Sequence, residues 1–156
     1  MLEKINIRKA VLEDLDVLLL FEQGIIEAER PFDPTLKSEK ISYYDLSELI
    51  VSENSAVYVA EINNEIVSSG YAKIKTAQVF LDHEKFVHLG FMYTKPEFRG
   101  KKLNSLIIEA LNNWAISQNV LEVRLQVYDA NASAIKAYEK VGFQKDMVTM
   151  RIRLKK

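Results

Sequence analysis

Asn131-Ala-Ser-Ala-Ile-Lys-Ala-Tyr-Glu-Lys-Val-Gly-Phe143 reads as a short helix carrying one phenol. Asn131 is a good N-cap, because its side-chain oxygen can accept from an otherwise orphaned N–H of the first turn. Ala134, Ile135 and Tyr138 follow at helical spacing and share a face. Gly142 supplies the left-handed stop, and Phe143 opens the next apolar run. Upstream, Leu121, Val123, Leu125 and Val127 alternate as a strand does. The unit is therefore strand, short loop, helix, strand, with a tyrosine hydroxyl on the helix. A core aromatic with a wet tip is the plainer reading of Tyr138.

Lys95-Pro-Glu-Phe-Arg-Gly-Lys-Lys-Leu-Asn104 joins an apolar strand, Phe86 to Thr94, to a long helix. Leu103, Leu106, Ile107, Ala110, Leu111 and Trp114 form that helix's apolar stripe. The loop is short, basic and contains Gly100. Unpaired N–H groups at a helix start, together with the helix dipole, make an anion site. Arg99, Lys101 and Lys102 add positive charge there. A solvated basic turn is the alternative.

In this order and spacing, the two segments resemble the GNAT superfamily of acyl-CoA N-acyltransferases. Arg99-Gly-Lys-Lys-Leu-Asn104 is similar to the family's diphosphate loop, R-G-x-G-x-G. Asn131, Ala134, Tyr138, Gly142 and Phe143 match its N-x-x-A-x-x-x-Y-x-x-x-G-F motif. Ile5-Asn-Ile-Arg-Lys-Ala10 with Asp14 looks like its first strand and the start of its first helix. Lys102 and Asn104 depart from the family, standing where it usually has Gly, and Gly or Ala. Glycine lets backbone approach phosphate closely and accepts positive φ. A lysine at Lys102 costs little if the backbone there is helical and is strained if φ must be positive.

The resemblance implies an α/β (α+β) fold over residues 1–156 as a single domain. Its mixed, mostly antiparallel sheet is flanked by helices, and the Phe86 and Leu121 strands run parallel and splay apart. Acetyl-CoA, the co-substrate, would lie in the splay, and no metal is implied. Phe91, Met92 and Tyr93 mark the strand whose backbone N–H would stabilise the oxyanion. Arg99, Gly100, Lys101, Lys102, Leu103 and Asn104 would hold the diphosphate. Asn131 caps its helix and, by resemblance, bonds in the cofactor region. Tyr138 matches the general acid; a phenol with pKa near ~10 is protonated at neutral pH and can donate to a departing sulfur. Counting eleven residues back from Arg99, where some members carry a glutamate base, lands on His88. Neutral imidazole can accept a proton. Glu84 and ordered water are the alternatives, and His83 reads as an exposed loop residue.

The acceptor pocket is implied around the first two helices and their connection. That region carries Glu22, Glu27, Glu29 and Asp33 with Phe32, Tyr43 and Tyr44. Of these, Glu29 and Phe32 are the expected substrate contacts, since a carboxylate and an aromatic ring both attract an ammonium. Solvated helix-face carboxylates are the alternative. A small-molecule amine and a peptide or protein amine both remain open as acceptor. A non-catalytic acyl-CoA-binding regulatory or sensing module is the alternative function.

Composition narrows the classes. The chain has 156 residues, 48% of them apolar, which suits one globular domain. A net charge of −1 provides no global field for nucleic acid or an anionic membrane. The absence of cysteine excludes disulfides, thiolate zinc sites and a cysteine nucleophile. No apolar run reaches the roughly 18 residues a membrane span needs, and no signal pattern opens the chain. A cytoplasmic protein is the expectation. Elsewhere the patterns predict a strand at Ile5 to Ile7, helices over Glu13 to Ala28 and Glu39 to Ser52, and a break at Glu29 to Thr35. Strands at Ala56 to Ile62 and Ile66 to Lys75 flank an Asn63-Asn64 turn. A final strand, Met147 to Leu154, is the edge at which two copies would pair as a homodimer.

Overall fold

Consecutive side chains of a strand point to opposite faces of a sheet, and Gly70 and Tyr71 show what each face of this one meets. The computed structural model describes residues 3–156. In it, Tyr71 joins an apolar cluster with Leu18, Phe21 and Ile25 of helix α1 (Leu15–Glu29) and Leu46 and Leu49 of helix α2 (Leu46–Val51). A Cβ on Gly70 would instead meet Met92, Ile107 and Leu111, within 2.6 to 3.1 Å. Ile107 and Leu111 belong to helix α3 (Leu103–Ser117), which thus covers the other face at a distance only glycine allows.

Between these helices lies a five-stranded sheet of β1 (Ile5–Lys9), β2 (Ser55–Ile62), β3 (Glu65–Thr76), β4 (Lys85–Thr94) and β5 (Val123–Leu125), in that spatial order. All neighbours are antiparallel except β4 and β5, which are parallel. This is the mixed α/β, mostly antiparallel architecture that the sequence implies. Asn63 and Asn64 both adopt positive φ, 52° and 63°, in the two-residue turn between β2 and β3, as a twisted hairpin favours. The Arg8 guanidinium on β1 binds Asp14 at 2.8 and 3.0 Å and Glu61 at 2.6 Å. Asp14 also accepts the Val11 N–H, so strand and helix entry are tied together.

The chain divides after Gln126 into two compact units. The second, from Val127 on, contains helix α4 (Ala132–Lys140). Asn131 Oδ1 accepts from the Ala134 N–H at 3.3 Å, as expected of the cap. At the other end, Gly142 takes φ +104°. The Gly142 and Phe143 N–H groups reach back to the Glu139 and Tyr138 carbonyls, each at 3.1 Å, which makes a Schellman stop.

Three expected boundaries shift. The second helix begins only at Leu46, because Asp45 caps it through the Glu48 N–H and residues 41–44 form neither helix nor strand. The Leu121 strand contracts to Val123–Leu125. Met147 to Leu154 forms neither helix nor strand, and Met147, Met150, Ile152 and Leu154 are all exposed. Alternation defines a face, but it does not by itself supply the ladder partner that a strand needs.

Candidate active site

The parallel pairing of β4 and β5 covers only Val87 to Leu89 against Val123 to Leu125. Beyond Leu89, β4 runs on to Thr94, whereas β5 ends at Leu125. In that stretch β4 is bulged. Tyr71 faces Gly90 and Ser69 faces Tyr93, which leaves Phe91 and Met92 opposite Gly70 alone. Phe91 takes φ +58°, an uncommon conformation for a bulky residue. Such bulges re-aim backbone and side chains and recur beside active sites. The Phe91 side chain is buried, so this residue offers a site its backbone only.

The basic turn follows directly. Pro96–Phe98 makes one tight turn, Arg99 is extended, and Gly100 takes φ +83° with open space where a Cβ would stand. Lys102 is left-handed at φ +62°, so of the two alternatives for this residue the strained one holds. The first bond within α3 runs from the Leu106 N–H to the Lys102 carbonyl. The N–H groups of Leu103, Asn104 and Ser105 thus precede it at the positive end of a 15-residue helix. Leu103 is buried and anchors the turn, while Gly100, Lys101 and Lys102 are exposed. Lys101 pairs with Glu3 and lies 5.7 Å from the Phe98 ring centroid. Arg99 Nε donates to the Thr94 carbonyl at 3.3 Å. These contacts are exposed and separable, and an anion at the helix start can draw on the same cations.

His88 lies on β4, half-buried, with its ring centroid 6.0 Å from that of Tyr71. Burial, reinforced by Lys75 and Lys73, pushes its pKa down to about 4. The imidazole is therefore neutral at neutral pH, the form that accepts a proton. Glu84 is exposed, just before β4. His83 is more than an exposed loop residue: Nδ1 pairs with Asp82 at 2.8 Å and Nε2 faces Arg124 Nη2 at 2.7 Å. Since Arg donates only, Nε2 accepts and the Nδ1–H donates to Asp82.

At the end of α1, Glu29 and Phe32 are half-buried. Burial raises the Glu29 pKa, opposed by a hydrogen bond from the Tyr43 hydroxyl and assisted by Asp33. Tyr44 packs edge-on against Tyr71, at 5.4 Å between centroids, and against Phe91 at 5.6 Å. Burial raises the Tyr44 pKa, and the Phe91 N–H approaches its phenol oxygen. The Tyr93 ring meets that of Phe21 at a 40° tilt, 4.7 Å between centroids. Glu22 is the surprise of this region: it is 2% exposed, not solvated. Its place on the stripe of Leu18, Ile25 and Ile26 marks it as inward-facing.

The structure thus gathers Arg99 to Asn104 at one turn, follows the bulge at Phe91 and Met92 with Tyr93, and sets Glu29 and Phe32 at the end of α1. Asn131 and Tyr138 belong to the second unit. There Tyr138 is half-buried, its ring 5.9 Å from Phe143 in an edge contact.

A bulged strand that runs through a left-handed turn into a helix N-terminus closes one end of this mixed α/β sheet with backbone suited to an anion. The chain matches the acetyltransferase (GNAT) family over residues 23–143 and belongs to that family. It is 33% identical over 91 residues to a streptothricin acetyltransferase from Escherichia coli. That match covers 58% of this chain and 48% of the relative, so the chain spans about half the length of the curated relative it matches. Among solved structures, a tetramutant of a Bacillus halodurans protein superposes with a TM-score of 0.84 at 20% identity, covering 96% of this chain and 99% of that one. A predicted acetyltransferase from Clostridium acetobutylicum, solved with acetyl-CoA, gives 0.73 at 18%, covering 96% of each chain. The aminoglycoside N-acetyltransferase AAC(6')-Iy in complex with CoA gives 0.73 at 17%, covering 99% of this chain and 97% of that one. At these identities the likeness is one of fold.

Proposed function

We propose that this chain transfers an acetyl group from acetyl-CoA to a primary amine of a small, cationic molecule. The observation that carries the reading is the turn from Gly100 to Lys102, whose left-handed residues lead into the start of α3 at the end of a bulged strand. Such a helix start favours the diphosphate of a CoA thioester. The family match runs from residue 23 to 143, across the boundary between the two units, which supports reading the chain as one domain.

The amine must be neutral to attack, since an ammonium has no lone pair. Its nitrogen adds to the thioester carbonyl, a β4 backbone N–H near the bulge stabilises the oxyanion, and the C–S bond then breaks. In this reading Tyr138 gives its proton to the sulfur, and His88 or water takes the proton from nitrogen. The products are the amide and free CoA thiol. Glu29 and Phe32 hold the cationic acceptor. The streptothricin acetyltransferase and the aminoglycoside N-acetyltransferase are named for small-molecule acceptors, which supports a small molecule over a peptide amine.

Thiol release from acetyl-CoA, measured with streptothricin, neamine and simple polyamines after subtraction of hydrolysis, tests the reading. Acceptor-dependent release is expected. Stabilisation by acetyl-CoA with no release on any amine would instead favour the non-catalytic acyl-CoA module. A His88→Ala enzyme whose acidic pH limb does not move would remove His88 as the base.

A further inference from the structure

Glu22 sits in the middle of α1, between Leu18 and Ile26, both fully buried. A carboxylate so placed needs donors, because burying an unpaired charge is costly. Its donors lie in the segment at residues 42–44. Oε2 accepts the Tyr43 N–H at 2.9 Å and the Tyr44 N–H at 2.8 Å, and the Ser42 hydroxyl reaches both oxygens at 3.2 and 3.3 Å. Next to it, Gln23 Nε2 donates to the Ile41 carbonyl at 2.9 Å. The segment makes neither helix nor strand, so α1 side chains satisfy backbone groups that no ladder satisfies.

Two consecutive N–H groups held by one carboxylate fix two consecutive side-chain directions. Tyr44 thereby lies against Tyr71 and Phe91, its oxygen next to the bulged Phe91 N–H. Tyr43 lies edge-on to Tyr44 at 5.6 Å, with its hydroxyl on Glu29. The acceptor wall and the β4 bulge thus have one support in common.

We propose that Glu22 is a positioning residue for the amine side of the site: it holds residues 42–44 so that Tyr44 fixes the bulge and Tyr43 orients Glu29 toward the ammonium of the acceptor. This rests on the acetyltransferase reading, and it assigns the specificity for a cationic amine to a group that touches no substrate.

Glu22→Gln is the test, because the amide keeps the volume but replaces one acceptor oxygen with a donor. Steady-state kinetics with acetyl-CoA and neamine are expected to show kcat/KM for neamine falling by about tenfold to a hundredfold, the scale on which misplaced groups act. Acetyl-CoA affinity, from calorimetry, is expected to stay within about threefold, since the diphosphate turn is untouched. Ser42→Ala, which removes only the long hydroxyl contact, serves as a near-silent control. Tyr44→Phe keeps the ring and is expected to lower kcat/KM in the same direction should Glu22→Gln fold poorly. An activity-independent readout is amide exchange: the Tyr43, Tyr44 and Phe91 N–H groups are protected in the native protein and lose protection selectively in Glu22→Gln. Unchanged protection, or a lower Tm with native kcat/KM, overturns the proposal. Native enzyme that acetylates no amine overturns the acetyltransferase reading instead, and the exchange result still decides the role of Glu22.

Discussion

Gly24 on α1 stands against the ring of Tyr93 on β4: a Cβ at this position would lie 2.7 Å from Tyr93 Cε2 and 3.0 Å from both Cζ and the phenol oxygen. Glycine inside a helix ordinarily costs stability, so its presence here reflects how closely α1 approaches the bulged end of β4. The Tyr93 ring in turn packs at a tilt against Phe21, 4.7 Å between centroids.

Gly24→Ala therefore sets two effects against each other. Helix propensity favours alanine by up to ~1 kcal/mol, while overpacking costs ~1–3 kcal/mol. A net loss of about 1 kcal/mol is expected, or ~2–4 °C in Tm for a chain of this size. Thermal denaturation checks it. An unchanged or higher Tm would mean that Tyr93 swings away freely and is not held by Phe21.

His88 makes stability depend on pH. Its folded pKa of about 4 lies below the ordinary value because of burial and then Lys75 and Lys73. Protonation therefore favours the unfolded chain. The stabilising contribution is fully present above ~6.5, the unfolded pKa, and is lost as pH falls toward 4. Urea unfolding between those limits is expected to show stability declining with acidity, with a flatter slope in His88→Asn. Equal slopes in the two proteins would show that His88 is as solvated when folded as when unfolded.

What could be read from sequence divides along physical lines. Local chemistry was legible: Asn131 and Gly142 bound α4, Asn63-Asn64 makes the turn, and Leu103, Ile107, Leu111 and Trp114 of the α3 stripe are buried, with Leu106 and Ala110 half-buried at its margin. Interactions between distant residues were not. Nothing near Tyr43 and Tyr44 announces that a carboxylate some twenty positions earlier replaces their helix bonds, so the second helix reads longer than it is. Phe91 carries no glycine to mark its positive φ. The alternation from Met147 to Leu154 specifies a face, whereas strand formation needs a partner that local pattern does not name. The basic turn before α3 was legible in composition, but its left-handed Lys102 was visible only as an alternative, because lysine does not announce αL as glycine does.

That residue provides the next expectation. A non-glycine residue in the left-handed region costs roughly 1–2 kcal/mol. Lys102→Gly should therefore raise Tm by a few degrees, while Lys102→Ala, which keeps the strain and loses the charge, should not. Acetyl-CoA titrations of the same pair separate backbone from charge. Weaker binding in both variants, with a shallower salt dependence, assigns the lysine to the diphosphate. Native affinity in both would leave the helix start and its backbone N–H groups as the anion site.

Tyr138→Phe addresses the chemistry itself. The substitution removes one oxygen and keeps the ring, so the edge contact with Phe143 and the Schellman stop behind it are retained. Loss of a general acid is expected to lower kcat by roughly ten- to ten-thousand-fold, with acetyl-CoA affinity nearly unchanged. The effect should shrink with donors whose thiolate leaves easily, because a low-pKa leaving group needs no proton. Acetyl transfer from acetyl-CoA and from an aryl thioester of acetate, measured on the same amine, gives the comparison. A large loss on both donors would point to a positional role for the hydroxyl, and near-native kcat on acetyl-CoA would remove Tyr138 from the reaction.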